Sequence, residues 1–167
     1  STISNYGVGV MAINNQFNVL ATTFMGDKIA GGCELMHFNN ENGKLDKHIA
    51  HVNNLSDTED PYGVLFSPND SLLYLTECLG EVLNQYEVFH KKSSAINGSR
   101  KVIHHGTSTD ARLGQIQVGP NNKLYVPLDF NGRPYDIGCN FIGVVNNPNL
   151  RGNACKWRYD EICIPNN

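Results

Sequence analysis

Long apolar runs are missing from this chain of 167 residues. No stretch approaches the ~20 apolar residues a membrane-crossing helix needs, and no signal peptide is visible. Charged residues are sparse at 17%, and the formal net charge is only −3. The short basic pairs Lys91-Lys92 and Arg100-Lys101 form no dense patch, so a nucleic-acid partner is not expected. There is no Cys-x-x-Cys pair, which argues against a zinc site or a thioredoxin-type centre. Neither a Gly-x-Ser-x-Gly elbow nor a phosphate-binding glycine loop occurs. Apolar residues at 3.6-residue spacing are also lacking, so little or no helix is expected.

What the chain does contain is one segment type three times. Gly9–Ala21, Gly63–Leu75 and Gly114–Val126 each read as a β-prone stretch, a polar turn and a second stretch. The turns carry Asn14-Asn15, Ser67-Pro68-Asn69-Asp70-Ser71 and Gly119-Pro120-Asn121-Asn122, residue types that favour tight reversals. Further strands follow each pair, for example Cys33–Phe38 before the Asn42-Gly43 hairpin signal, and Val82–Phe89. A polar turn is expected from Lys91 to Gly98, then a strand at Lys101–His104. Phe141–Val145 reads as a strand, Asn146–Cys155 as a loop, and Trp157–Ile164 as a last short strand.

A repeat of this length made of strand pairs predicts an all-β fold: a partial β-propeller of about three four-stranded antiparallel blades. The blades are expected at about residues 6–54, 60–105 and 113–164. Propellers close with about four to eight blades, so three leave two open flanks that call for further blades from the same chain, another polypeptide or a second copy. The first residue is Ser1 rather than Met, in keeping with a processed or excerpted chain. Aromatics recurring within the repeats, among them Tyr6, Tyr62, Phe66, Tyr74, Tyr86 and Tyr125, are expected to fill the inter-blade core.

Five cysteines are an odd number. Cys139, Cys155 and Cys163 crowd the C-terminal quarter. A disulfide there suits an exported protein, with Cys155–Cys163 the first candidate and Cys139–Cys155 the second. The alternative is buried free thiols.

Candidate chemistry is thin. On regular strands His48 and His51 diverge, and so do His104 and His105, beside Asp110. No metal site and no cofactor are therefore expected. Glu77, Glu81, Asp129, Asp136, Asp160 and Glu161 fall at strand ends or in loops, and no spacing forces two of them together. Asn54-Leu55-Ser56, Asn69-Asp70-Ser71 and Asn97-Gly98-Ser99 match an N-glycosylation pattern.

The motifs also resemble a known family. Pro61-Tyr62-Gly63-Val64-Leu65-Phe66-Ser67-Pro68-Asn69 with Leu73-Tyr74-Leu75 is similar to one blade of an exported Bacteroidetes propeller family. Members are described as gliding-motility-associated or as carrying a type IX (type B) sorting domain. Leu113–Asn121 with Lys123–Val126 is similar to that family's next blade. Gly143–Asn149 with Gly152 and Ala154-Cys155 resembles its most specific signature, and Ile164-Pro165-Asn166 its closing motif. Glu34–Asn40 with Gly43–Leu45 resembles the preceding blade. Two departures stand out: Ile13-Asn14-Asn15 occupies the usual Ser-Pro-Asp turn, and the family's early blades and sorting domain have no counterpart here.

The resemblance implies a place at or beyond the outer membrane and no defined reaction. Asp70-Ser71-Leu72 looks like the short O-glycosylation signal of such proteins, with Ser71 as acceptor. The expected function is a non-catalytic, exported, surface binding or scaffolding module whose partners are the remaining blades, surface proteins or glycans. The alternative is a propeller hydrolase of lactonase or glycosidase type using loop carboxylates or histidines.

Overall fold

The computed structural model describes residues 9–24, 31–52, 61–77, 81–89, 92–106, 111–129 and 139–165. They form three antiparallel sheets in chain order. Blade 1 holds β1 (Met11–Ile13), β2 (Val19–Phe24), β3 (Gly32–Asn39) and β4 (Lys44–Val52). Blade 2 holds β5 (Pro61–Phe66), β6 (Leu72–Glu77), β7 (Val82–Glu87) and β8 (Lys101–His105). In blade 3 the first strand is split into β9 (Arg112–Leu113) and β10 (Gln117–Val118). Both pair with β11 (Leu124–Asp129), followed by β12 (Cys139–Val145) and β13 (Trp157–Pro165). The expected all-β class and the repeated four-stranded plan are both present.

The blades stack face to face because alternate side chains of every strand point to opposite sides of its sheet. Between blades 1 and 2, the small Ala12, Ala21 and Ala50 make room for Val64, Phe66, Leu73, Leu75 and Tyr86. The next residues along point the other way: Leu72, Tyr74 and Leu83 pack with Leu113, Ile116, Leu124, Val126 and Val145 of blade 3. Blade 2 is thus buried on both faces. Its β6 is buried at all six positions, as expected of a strand with a neighbour on either side.

The first turn of each blade has the same construction. Phe17 N donates to Asn14 O, Asp70 N to Ser67 O and Asn122 N to Gly119 O, each at 2.9 Å. The donor residue has a positive φ in all three cases: 56° at Phe17, 60° at Asp70 and 59° at Asn122. Asp and Asn tolerate that left-handed geometry; Phe is strained by it.

The structure corrects two expectations of local structure. The stretch predicted as a polar turn contains a short helix, α1 (Ser93–Gly98). Its one buried side chain, Ile96, lies in the seam between blades 1 and 2. Ser93 Oγ and Asn97 Nδ2 both donate to His51 O at 3.0 Å. Tertiary burial of a single isoleucine, not periodicity, sets this helix. A 3₁₀ turn also forms at Gly152–Cys155.

The connection from β12 to β13 staples blade 3 to blade 2. Tyr74 Oη donates to Pro148 O (2.8 Å), Gln85 Nε2 donates to Leu150 O (2.9 Å), and Gly152 N donates to Gln85 Oε1 (2.9 Å). Arg151 pairs with Glu87 and donates to Ser99 O (2.9 Å).

Candidate functional site

Each blade has two ends. At one end lie the tight first turns. At the other lie the β2–β3, β4–β5, β6–β7, β8–β9 and β11–β12 connections, which fall wholly or largely outside the described residues. The inner strands line the would-be channel. Beside the tight turns a cleft of about 370 Å³ spans all three blades, walled by Ile13, Leu65, Phe66, Pro68, Val118 and Pro120. A second cleft, of about 270 Å³, opens between blades 1 and 2, with Val19, Leu35, Ile49, Val88 and Phe89 in its wall and Asn14 and Asp70 on its rim. Both can hold apolar groups. Neither brings together an acid and a base.

Asp70 ties the turns of blades 1 and 2. Its Oδ1 accepts from Asn15 N (2.8 Å) and Asn15 Nδ2 (3.2 Å); its Oδ2 accepts from Gln16 N (3.1 Å) and Asn14 Nδ2 (3.3 Å). The carboxylate is nearly buried and fully engaged, so it holds the blades in register and is not free for acid–base work.

Inside the seam between blades 1 and 2 lies a second polar knot. Glu77 is fully buried at the end of β6. Asn84 Nδ2 donates to Glu77 Oε1, Arg100 Nη2 stands 3.8 Å from the same oxygen, and Arg100 Nε donates to Asn84 Oδ1 (3.0 Å). The guanidinium compensates a carboxylate that burial alone would penalise.

A third cluster overturns the divergence expected of His48 and His51. His48 Nε2 lies 2.6 Å from Glu34 Oε2, and His51 Nδ1 lies 2.7 Å from Glu34 Oε1. The cause is a bulge. Glu34 pairs with His51, Leu35 with Ala50 and Met36 with His48, so Ile49 is the extra residue that turns both imidazoles to one face. A carboxylate only accepts, so each of these ring nitrogens carries the proton. Nothing in the sequence marks the bulge. His104 and His105 do diverge: His104 stacks on Tyr159 (centroids 4.8 Å apart), whereas His105 is exposed.

The disulfide expectations are corrected. Cys155 is a free, buried thiol, so neither Cys155–Cys163 nor Cys139–Cys155 forms; Cys163 is disulfide-bonded. Cys155 sits in the blade 2–blade 3 core beside Tyr74, and burial raises both the thiol and the phenol above their ordinary pKa values. Cys33 is also free. Burial first, and the Glu34 charge second, push its thiol up to about 12.

Ser71 lies in the β5–β6 turn, where its Oγ donates to Asn69 Oδ1 at 2.7 Å. Asp129 is exposed and pairs in register with Arg112; Asp160 and Glu161 are exposed on the outermost strand. Glu81 is buried, with its backbone oxygen accepting from Gly106 N at 2.9 Å. Asp110, Asp136, Tyr6 and Asn54 lie outside the described residues. Among the described residues no group of three His, Cys, Asp or Glu side chains is placed to hold a metal ion, and no helix is long and apolar enough to cross a membrane.

A fold of stacked four-stranded blades around a channel is that of the β-propellers, and solved structures agree. The chain is similar to a luciferin-regenerating enzyme (TM-score 0.53, 11% identity, 77% of this chain and 41% of that one). It is similar to the periplasmic gluconolactonase of Pseudomonas aeruginosa (0.55, 13%, 93% and 43%). It is also similar to the PQQ-bound aldose sugar dehydrogenase of Streptomyces coelicolor (0.53, 16%, 87% and 45%). The chain therefore spans less than half the length of each. At these identities the likeness establishes the fold. No family model matches the chain, and no curated protein matches it.

Proposed function

We propose that the chain supplies three consecutive blades of a larger propeller, of about six or seven blades, and that the completed ring is a hydrolase of lactonase type. The observation that carries the reading is the asymmetry of the two ends. Glu77, Glu81, Arg112 and Asp129 stand at the end opposite the tight turns, on or next to the inner half of their blades. That end also bears the connections that lead from one blade into the next, β4–β5 and β8–β9, and connections are the usual place for working residues on a rigid scaffold. The similar gluconolactonase and sugar dehydrogenase, by their names, act on sugar-derived small molecules, which favours an aldonolactone as the substrate class.

The test is lactone hydrolysis by the assembly isolated from its source, followed as proton release with gluconolactone, with and without chelator. Hydrolysis well above the spontaneous rate, lost on Asp129→Asn, is the expected result. A rate equal to buffer alone refutes the hydrolase.

A second reading is an exported surface module that binds or scaffolds. It is supported by the motif resemblance centred on Asn146-Asn147-Pro148-Asn149, and by the apolar channel wall of Ile13, Leu65 and Val118. Under this reading the family, the surface location and Ser71 as a glycan acceptor come together. Glycopeptide mass spectrometry of the native protein at Ser71 checks it.

A further inference from the structure

We propose that the cleft between blades 1 and 2, at the tight-turn end, binds a short uncharged segment of a partner polypeptide, anchored by one apolar side chain. The described residues that line it all belong to this chain, so the inference needs neither the closed ring nor the hydrolase.

The first turns lay the blades over one another. Asn14 N donates to Val19 O as Ser67 N donates to Leu72 O, which makes Val19 and Leu72 equivalent. Two residues further along, Ala21 pairs with Leu35 in blade 1 and Tyr74 with Gln85 in blade 2. Each of these pairs faces the following blade.

Between blades 2 and 3 that pair seats a peptide. Tyr74 Oη donates to Pro148 O, Gln85 Nε2 donates to Leu150 O, and Gln85 Oε1 accepts from Gly152 N. The stretch from Pro148 to Gly152 in the β12–β13 connection is thereby held on blade 2, with Pro148 buried. Between blades 1 and 2 the same pair is short and apolar: Ala21 gives no bulk and Leu35 no hydrogen bond. The connection from blade 2 fastens elsewhere, through Ser93 and Asn97 to His51 O and through Ile96. The cleft of about 270 Å³ lies where the held stretch would fall, and Leu35, in the place of Gln85, lines it. Phe89 follows Tyr86 by three residues as Pro148 follows Val145. Unlike Pro148, it is 54% exposed, at the edge of the cleft.

The lining selects the occupant. Val19, Leu35, Ile49, Phe66 and Val88 form walls that take a hydrocarbon group. The volume falls just below the roughly 300 Å³ at which pockets for whole small molecules begin, which suits a side chain. A sugar would lay unpaired hydroxyls against these walls. On the rim, Asn14 Nδ2 donates to Asp70 Oδ2 (3.3 Å), and the carboxylate is otherwise taken up by the blade 1 turn. No free charge there calls for a charged ligand. Among the described residues, the Gln16 side-chain amide and Asn18 Nδ2 have no hydrogen-bond partner. A side-chain amide offers the donor and acceptor that a peptide backbone matches. Gln85 already reads the backbone of Leu150 and Gly152 in this way, with both ends of its amide.

The test pans a phage library of random short peptides against the assembly isolated from its source. A synthetic copy of the enriched peptide is then titrated by fluorescence polarisation. Phe89→Ala and Gln16→Ala are compared with Leu45→Ala, an exposed apolar residue on β4 away from the cleft. The expected result is an enriched peptide with an apolar anchor. Its affinity is expected to fall about ten-fold or more on Phe89→Ala, a few-fold on Gln16→Ala, and not at all on Leu45→Ala. No enrichment, or equal affinity for all three variants, overturns the proposal. Saturable binding of free indole that is lost on Phe89→Ala, with no peptide enriched, assigns the cleft to a small molecule and overturns the peptide. A fall in assembly mass on adding the peptide assigns the cleft to contact between copies and overturns the partner.

Discussion

Asp70 and Asn15 belong to different blades, yet the Asp70 carboxylate accepts the Asn15 backbone N–H at 2.8 Å and the Asn15 side-chain amide at 3.2 Å. The contact exists because the left-handed backbone at Asp70 (φ 60°) aims the side chain back along the ring. Asp70→Ala removes the carboxylate shared by four donors of blade 1, leaves the strain and is expected to cost about 3 kcal/mol. Asp70→Asn tolerates the backbone and keeps one acceptor, so it is expected to lose roughly half as much. Urea titration followed by circular dichroism measures both. Equal losses would mean that the backbone geometry matters and the inter-blade contact does not.

Gln85 does for blades 2 and 3 what Asp70 does for blades 1 and 2. Nearly buried, it bonds Tyr74 Oη, Leu150 O and Gly152 N. Gln85→Leu strands the buried Gly152 N–H, removes the donor from the part-buried Leu150 O and is expected to cost about 1–3 kcal/mol. The β12–β13 connection is expected to gain hydrogen exchange before the strands do, which exchange mass spectrometry reads directly.

Trp157, the one tryptophan of the chain, packs its six-membered ring against Gly143, where a β-carbon would meet the indole. Gly143→Ala is expected to push the indole outward, red-shift its emission and destabilise the protein by about 1–3 kcal/mol. Unchanged emission would contradict the packing.

Alkaline pH probes the seam between blades 1 and 2 through Cys33. Its folded pKa, about 12, stands above the ordinary 9.0 because burial disfavours the thiolate. The folded protein therefore keeps a proton that the unfolded chain loses, and stability falls as pH rises from 9 towards 12. Tyr74 shifts in the same direction and adds to the decline. Cys33→Ala is expected to flatten part of the fall in urea midpoint over that interval. At pH 8, neither Cys33 nor Cys155 should react with a thiol reagent until the protein unfolds.

The architecture was legible because turn chemistry repeats. Asn14-Asn15, Pro68-Asn69-Asp70 and Pro120-Asn121-Asn122 announce three equivalent reversals, and the strands between them alternate as sheet neighbours require. The site was less legible because its contacts ignore that regularity. His48 and His51 meet on Glu34 only through the bulge at Ile49, which no residue type signals. Glu77 and Arg100 come together through sheet pairing, far apart in sequence. Cys155 looked like a disulfide partner by proximity, but the 3₁₀ turn carries it into the core next to Tyr74. Ile96 makes a helix where composition read as a turn.

The central claim is that these three blades are consecutive wedges of a larger closed ring. Electron-microscope class averages of the native assembly, viewed end-on, test it most directly. A round body with a central hole and about six or seven lobes is the predicted result. An open three-lobed wedge at the mass of the single chain would contradict it.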